Sequence, residues 1–188
     1  MECQFLACED GFDLHFADRL VLRHRISCPA LVMARGNAQI EMRHGNFRID
    51  DAPTDNVAPL DWFASDNGLV FSHEGEPAAR LSWAENILTA EAANPAFDRL
   101  WLSFHAEPDE TVWGGGEQMS YLALNGRRFP MWTSEPGVGR DKSTALTQTM
   151  DAQGMAGGDY WTTNYPQPTF LTSHWLAVHL DAECYSVL

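Results

Sequence analysis

In the segment FDLHF apolar residues return at every second position, at Phe12, Leu14 and Phe16, and the same period recurs in NFRID through Phe47 and Ile49. A period of two puts alternate side chains on one face of an extended chain, so both segments read as half-buried strands. FDRLWLSFHA is a third run of strand character, rich in aromatics. The clusters ARGNA, DDAPTDN, SDNG, HEGEP and AANPA separate such runs, at a spacing of roughly 8–15 residues that suits antiparallel hairpins and meanders. SWAENILTAEAAN could form a helix, but its apolar positions fit a strand and turn as well, and it is taken as strand. Asn125-Gly126, flanked by YLAL and RRFPMW, reads as a type I′ hairpin turn, which makes Arg127 and Arg128 strand-entry residues facing opposite ways. Neither an internal repeat nor a low-complexity tract is present, so a solenoid or propeller is disfavoured. The expectation is all-β: an antiparallel β-sandwich of two sheets face to face, with little helix, forming one domain over residues 1–188.

Composition supports a sizeable core, because 45% of the 188 residues are hydrophobic. Charge narrows the partners. Against 12 basic residues stand 26 acidic ones, and a formal charge of -14 repels phosphate backbones and anionic lipid surfaces. Nucleic acid and membrane are therefore not expected as partners. The N-terminal MECQFLACEDGFDLHF lacks a basic stretch followed by an apolar one, and no apolar run reaches the roughly 18 residues a spanning helix needs. A cytoplasmic protein is expected. Cys3, Cys8, Cys28 and Cys184 form no CxxC pair and read as free thiols. The seven histidines are scattered; His174 and His179 would point to opposite faces of a strand. No metal and no cofactor is expected.

The span WGGGEQMSYLALNGRRFPMWTSEPGVGR departs from strand chemistry. Its three glycines, Gly114 to Gly116, could suggest a dinucleotide-binding turn, but Met119 stands where the third glycine of that fingerprint belongs and no helical pattern follows. A bulge or tight crossover is the better account. In WTSEPGVGR, proline and two glycines remove strand propensity while Glu135 and Arg140 offer a carboxylate and a fork of donors. A solvated surface pair is the ordinary reading of such residues. A charged loop on a rigid sheet is also where binding residues sit.

WGGGEQMSYLALNGRRFPMWTSEPGVGRDK, followed by GGDYWTTNYPQPTFLTS, closely resembles the N-terminal domain of the bacterial sulfoquinovosidase branch of glycoside hydrolase family thirty-one. EPDETVWGGGEQ is similar to that family's strand running into a glycine-rich turn that ends in Gly-Glu. The likeness is specific over residues 107–173; earlier residues share the strand pattern and the phrase HGNFRID. The resemblance implies a galactose-mutarotase-like N-terminal β-sandwich followed by a catalytic (β/α)₈ barrel. The chain ends on HWLAVHLDAECYSVL, strand-like and without a polar tail, and this is taken to mean that a longer enzyme continues downstream.

The family is retaining, with an aspartate nucleophile and an aspartate acid/base both on the barrel, so the resemblance implies no catalytic residue in this chain and no activity of the chain alone. It implies instead that residues 132–140 reach over the barrel mouth toward a sugar substrate. Related α-glucosidases carry an acidic residue there near the leaving-group subsite, and Glu135 stands at the matching place, a glutamate where they have aspartate. Substrate-binding candidates are therefore Glu135, as acceptor for sugar or aglycone hydroxyls; Arg140, which could hold Glu135 or meet an anionic sugar; and Trp132, better suited to packing under the loop than to stacking on a sugar. The expected partners are an α-sulfoquinovoside or another α-glycoside, and the barrel of the same polypeptide. The alternative is a free-standing carbohydrate-binding or structural β-sandwich.

Overall fold

The computed structural model describes residues 3–53, 60–117, 121–181 and 184–188. Met119 and the end of the DDAPTDN cluster lie outside the described residues. The chain divides into two compact units, Met1–Ala38 with Asp51–Ala106, and Gln39–Asp50 with Glu107–Leu188.

In the first unit, β1 (Cys3–Cys8), β2 (Gly11–Phe16) and β3 (Arg19–Arg25) form an antiparallel meander. After β4 (Leu31–Ala34) come β5 (Gly36–Arg43) and β6 (Asn46–Pro53), a hairpin whose tip, residues 39–50, belongs to the second unit. A second meander follows: β7 (Asp61–Ser65), β8 (Gly68–His73), β9 (Glu76–Ala84) and β10 (Ile87–Ala92), paired in the order β10-β9-β8-β7. Then β11 (Arg99–Leu102) pairs with β4. SWAENILTAEAAN is thus extended, turning at Glu85 (φ 54°) between β9 and β10.

The period of two does what it predicts. Phe12 and Leu14 are fully buried, while Asp13 between them takes Arg25 at 2.8 Å and Arg23 at 3.3 Å. Burial alone would push the Asp13 carboxyl up, but these hydrogen bonds and charges outweigh it and hold it below the usual carboxylate range. Across from Phe12, Phe71 of β8 and Trp62 of β7 bring their rings to 6.3 and 5.1 Å. The two meanders therefore pack face to face, with Phe12 and Phe71 each worth about 1.5–3 kcal/mol on burial. His24 lies in this core, 3% exposed and stacked on Phe12 at 4.9 Å. Ala30 N–H donates to its Nδ1 at 3.3 Å, which requires a lone pair there. Burial first, and then the neighbouring Arg25 charge, hold its pKa below the ordinary value.

The second unit is built on β12 (Val112–Gly116), β13 (Pro130–Met131), α1 (Ala145–Ala152), β14 (Pro166–Thr172), β15 (Ala177–His179) and β16 (Ser186–Val187). A sheet β12-β14-β15 and the short pair β13-β16 enclose a core of Leu124, Phe129, Met131 and Phe170. The three glycines of β12 make the expected bulge: the register with β14 shifts between Gly114 and Gly115. All three have positive φ, at 128°, 82° and 86°, and a Cβ on Gly114 would overlap the Thr169 carbonyl oxygen. Only glycine fits that backbone.

One reading is corrected here. Asn125-Gly126 does turn the chain, with Arg127 N–H donating to Leu124 O at 3.0 Å. Of the two central residues only Gly126 has positive φ (69°), YLAL forms no strand, and in RRFPMW strand structure begins only at Pro130, in β13, which pairs with β16. The turn is therefore not type I′, and Arg127 and Arg128 do not enter a hairpin. The Asn125 side chain is engaged instead, accepting from Val112 N–H at 2.9 Å and donating to Glu110 O at 2.7 Å, which ties the turn to β12. After residues 132–140 the chain forms α1. Thr144 caps it, its Oγ1 accepting from Thr147 N–H at 3.4 Å. Strand residues still make up 53% of the described residues, which hold one short helix, so the fold is the antiparallel β architecture that the patterning predicts.

Candidate functional site

Residues 132–140 have few ladder bonds of their own, because Pro136 has no N–H and the chain turns sharply around it. Gly137 N–H closes on Glu135 O at 2.8 Å. The segment is nevertheless pinned on both sides. Ser134 N–H donates to Thr163 O (2.9 Å), Glu135 N–H to Gly45 O (3.0 Å) and Val138 N–H to Ala156 O (2.8 Å), while Val138 O accepts from Gly158 N–H (2.9 Å). Isolated parallel bridges join Thr133 to Thr163 and Val138 to Gly157. Ser134 is buried, with 3% exposure. The loop is thus a fixed platform rather than a free projection.

On it the three candidates stand differently. Glu135 is exposed, and among the described residues no hydrogen bond or ion pair engages its carboxylate. Its stem rests on the tip of the β5-β6 hairpin: a Cβ on Gly45 (φ 79°) would lie 2.8 Å from Glu135 Cγ. Arg140 turns the other way. Its half-buried guanidinium donates from Nη1 to Gly139 O at 3.1 Å and Gly137 O at 3.4 Å, so it braces its own loop and does not hold Glu135. Trp132 is half-buried, meeting Phe47 and Tyr185 edge to face at 5.4 and 5.8 Å; its ring is used for packing.

Beside the loop lies an open groove of about 650 Å³, lined by Glu117, Thr133, Asn164, Tyr165, Gln167 and their neighbours over a floor that includes Gly114 and Gly116. A smaller hollow of about 130 Å³ shares Glu117, Asn164 and Tyr165 and adds Pro136 of the loop. Glu117, Asn164, Tyr165 and Gln167 escaped selection from the sequence. The signal was present in GGGEQ and TTNYPQ, but only the fold brings these distant stretches together.

The groove offers amide and hydroxyl groups that suit sugar hydroxyls or peptide groups. Glu117 is its one described carboxylate, so it lacks the pair about 5 Å apart that retaining glycoside hydrolysis requires. Among the described residues no three His, Cys, Asp or Glu side chains cluster to hold a metal ion, and no helix is long and apolar enough to cross a membrane.

No family model matches the chain. It is 44% identical over 185 residues to the sulfoquinovosidase of Agrobacterium fabrum (strain C58), a match covering 97% of this chain and 28% of that protein. It is 39% identical over 194 residues to the sulfoquinovosidase of Escherichia coli (strain K12), covering 98% of this chain and 29% of that one. Among solved structures, a GH31 family sulfoquinovosidase from E. rectale in complex with the aza-sugar inhibitor IFGSQ superposes with a TM-score of 0.83 at 36% identity, over 98% of this chain and 28% of that chain. The chain thus spans a little over a quarter of the length of the relatives it matches.

Proposed function

We propose that this chain, which matches a little over a quarter of the length of sulfoquinovosidases of glycoside hydrolase family thirty-one, is the β-sandwich portion of a retaining α-glycosidase that cleaves α-sulfoquinovosides in the cytoplasm. The barrel of the same polypeptide supplies the two catalytic carboxylates, and residues 132–140 line the substrate pocket at its mouth. The observation that carries this reading is Glu135. A carboxylate held out on a doubly pinned loop, with no partner among the described residues, is prepared to accept hydrogen bonds from hydroxyl groups.

Arg140 acts through the loop, fixing the two glycine carbonyls that set its course. Trp132 supports the loop from below. Without the barrel's carboxylates the 188-residue chain turns over no aryl α-sulfoquinovoside.

The test is the specificity constant of Glu135→Ala and Glu135→Gln in the complete enzyme. Loss of a charge-assisted contact made in the transition state lowers kcat/KM by roughly tenfold to a hundredfold. Unchanged kinetics in both variants would return Glu135 to the role of a solvated surface acid.

A further inference from the structure

The β5-β6 hairpin turns at His44 and Gly45, whose φ values of 51° and 79° are both positive, as a type I′ turn requires. Its tip is fastened to the candidate loop across 89 residues of sequence. The Gly45 carbonyl oxygen accepts twice, from Glu135 N–H at 3.0 Å and from the hydroxyl of buried Ser134 at 3.4 Å. Two residues on, Phe47 meets Trp132 edge to face at 5.4 Å. A Cβ on Gly45 would stand 2.8 Å from Glu135 Cγ, closer than a Cβ packs, so the bare Cα of Gly45 is the wall on which the Glu135 stem lies. A second hairpin supplies the comparison. Between β8 and β9, Glu74 and Gly75 turn with φ values of 52° and 84°, yet nothing stands within 4 Å of a Cβ on Gly75. There the turn alone accounts for glycine. At Gly45 glycine meets a second demand, space for one side chain, and that side chain carries the exposed carboxylate of the candidate site.

We propose that Gly45 is a positioning residue for the hydrolysis. Its carbonyl holds the Glu135 backbone, its missing side chain admits the Glu135 stem, and together they fix where the carboxylate stands. The inference rests on the reading above that Glu135 meets the substrate. A glutamate stem has several rotatable bonds, and its carboxylate must be ordered when a sugar hydroxyl donates to it. A stem laid against a backbone wall has fewer courses to lose, and catalysis is sensitive to displacements of about an ångström. A Cβ at residue 45 pushes the stem off that wall and leaves the chemistry of residues 132–140 unchanged.

The test pairs Gly45→Ala with Gly75→Ala in the complete enzyme. Both place alanine at positive φ, so both lower Tm. Only Gly45→Ala lowers kcat/KM, by roughly tenfold, within the loss expected for Glu135→Ala. In the Glu135→Ala background no Cγ meets the new Cβ, so there Gly45→Ala changes kcat/KM by no more than about twofold, because the two substitutions act on one contact. Gly45→Asn brings the same Cβ with a side chain that tolerates positive φ, and it carries the same comparison should Gly45→Ala fail to fold. Equal kcat/KM in the two alanine variants overturns the proposal, as do losses from Gly45→Ala and Glu135→Ala that multiply in the double variant. The two proposals are separated by Glu135→Ala itself. Wild-type kinetics there removes the pocket reading and the role of Gly45 with it, whereas an impaired Glu135→Ala beside an unimpaired Gly45→Ala removes only the role of Gly45.

Discussion

The two units satisfy their backbones by different means. In the first, β1 and β2 pair over six consecutive residues without a shift, and β9 and β10 do the same. Register shifts occur in both, at Leu14/His15 and Phe71/Ser72 in the first and at Gly114/Gly115 in the second, but the second adds strands as short as two residues and loops held by bonds to other loops. Where ladders carry the backbone, side chains are left to pack, and stability lives in apolar volume. Where loops carry it, stability lives in particular φ values and side-chain-to-backbone bonds. The candidate site lies wholly in the second kind of structure, as binding loops on scaffolds commonly do.

The sharpest test of this contrast is Phe12→Ala. Phe12 is fully buried and meets Phe5, His24, Trp62 and Phe71, so truncation removes a ring shared by both meanders. The expected loss is about 3–5 kcal/mol, read from denaturant unfolding. A loss below about 1.5 kcal/mol, the scale of a well-tolerated core swap, would mean that packing does not dominate the first unit.

Next comes Gly114→Ala, the corresponding experiment in the second unit. The new Cβ would meet the Thr169 carbonyl at a φ of 128°, and a strained backbone costs about 1–3 kcal/mol. No apolar contact is removed, so the loss reports conformation alone. If Gly114→Ala were as stable as the parent, the bulge would not depend on glycine.

The same contrast governs what the sequence revealed. Period-two strands were legible because burial alternates with every residue, as at Phe12, Asp13 and Leu14. The glycine bulge was legible because three consecutive glycines have few other uses. The helix was missed although Asp141, Ser143 and Thr144 stood ahead of ALTQTMDA as cap formers. Its eight residues are too few for a periodic signal. Asn125 misled because its side chain serves β12 rather than a hairpin. Glu135 was visible as a charge on a broken strand, whereas the direction of Arg140 and the meeting of Glu117 with Asn164 depend on contacts between segments distant in sequence.

A smaller effect distinguishes the first unit by pH. The folded-state pKa of His24 is depressed by burial and by Arg25, so the unfolded chain binds the proton more readily. Stability is then fully present above the ordinary value of 6.5 and falls as pH drops through it, by no more than about 1.4 kcal/mol per pH unit for one group. Urea midpoints between neutral and mildly acidic pH measure this, with His24→Gln as the comparison. An equal acid dependence in that variant would assign the slope to other groups.

The smallest expected change separates Arg140 from Glu135. Arg140 is half-buried and its Nη1 is shared between two glycine carbonyls, so Arg140→Ala removes a brace worth about 0.5–1.5 kcal/mol. Glu135 has an exposed carboxylate, and Glu135→Ala stays within about 0.5 kcal/mol of the parent. At roughly 2–4 °C per kcal/mol for a chain of this size, calorimetry can resolve the first and should barely register the second. In the complete enzyme the order reverses for chemistry. Glu135→Ala impairs kcat/KM at nearly constant Tm, while Arg140→Ala lowers Tm and affects kcat/KM only as far as the loop shifts, an effect that Arg140→Lys should partly rescue. If Arg140→Ala instead leaves Tm unchanged and mainly raises KM, its guanidinium leaves the glycine carbonyls for the substrate, and the division of labour within the loop is the reverse of the one drawn here.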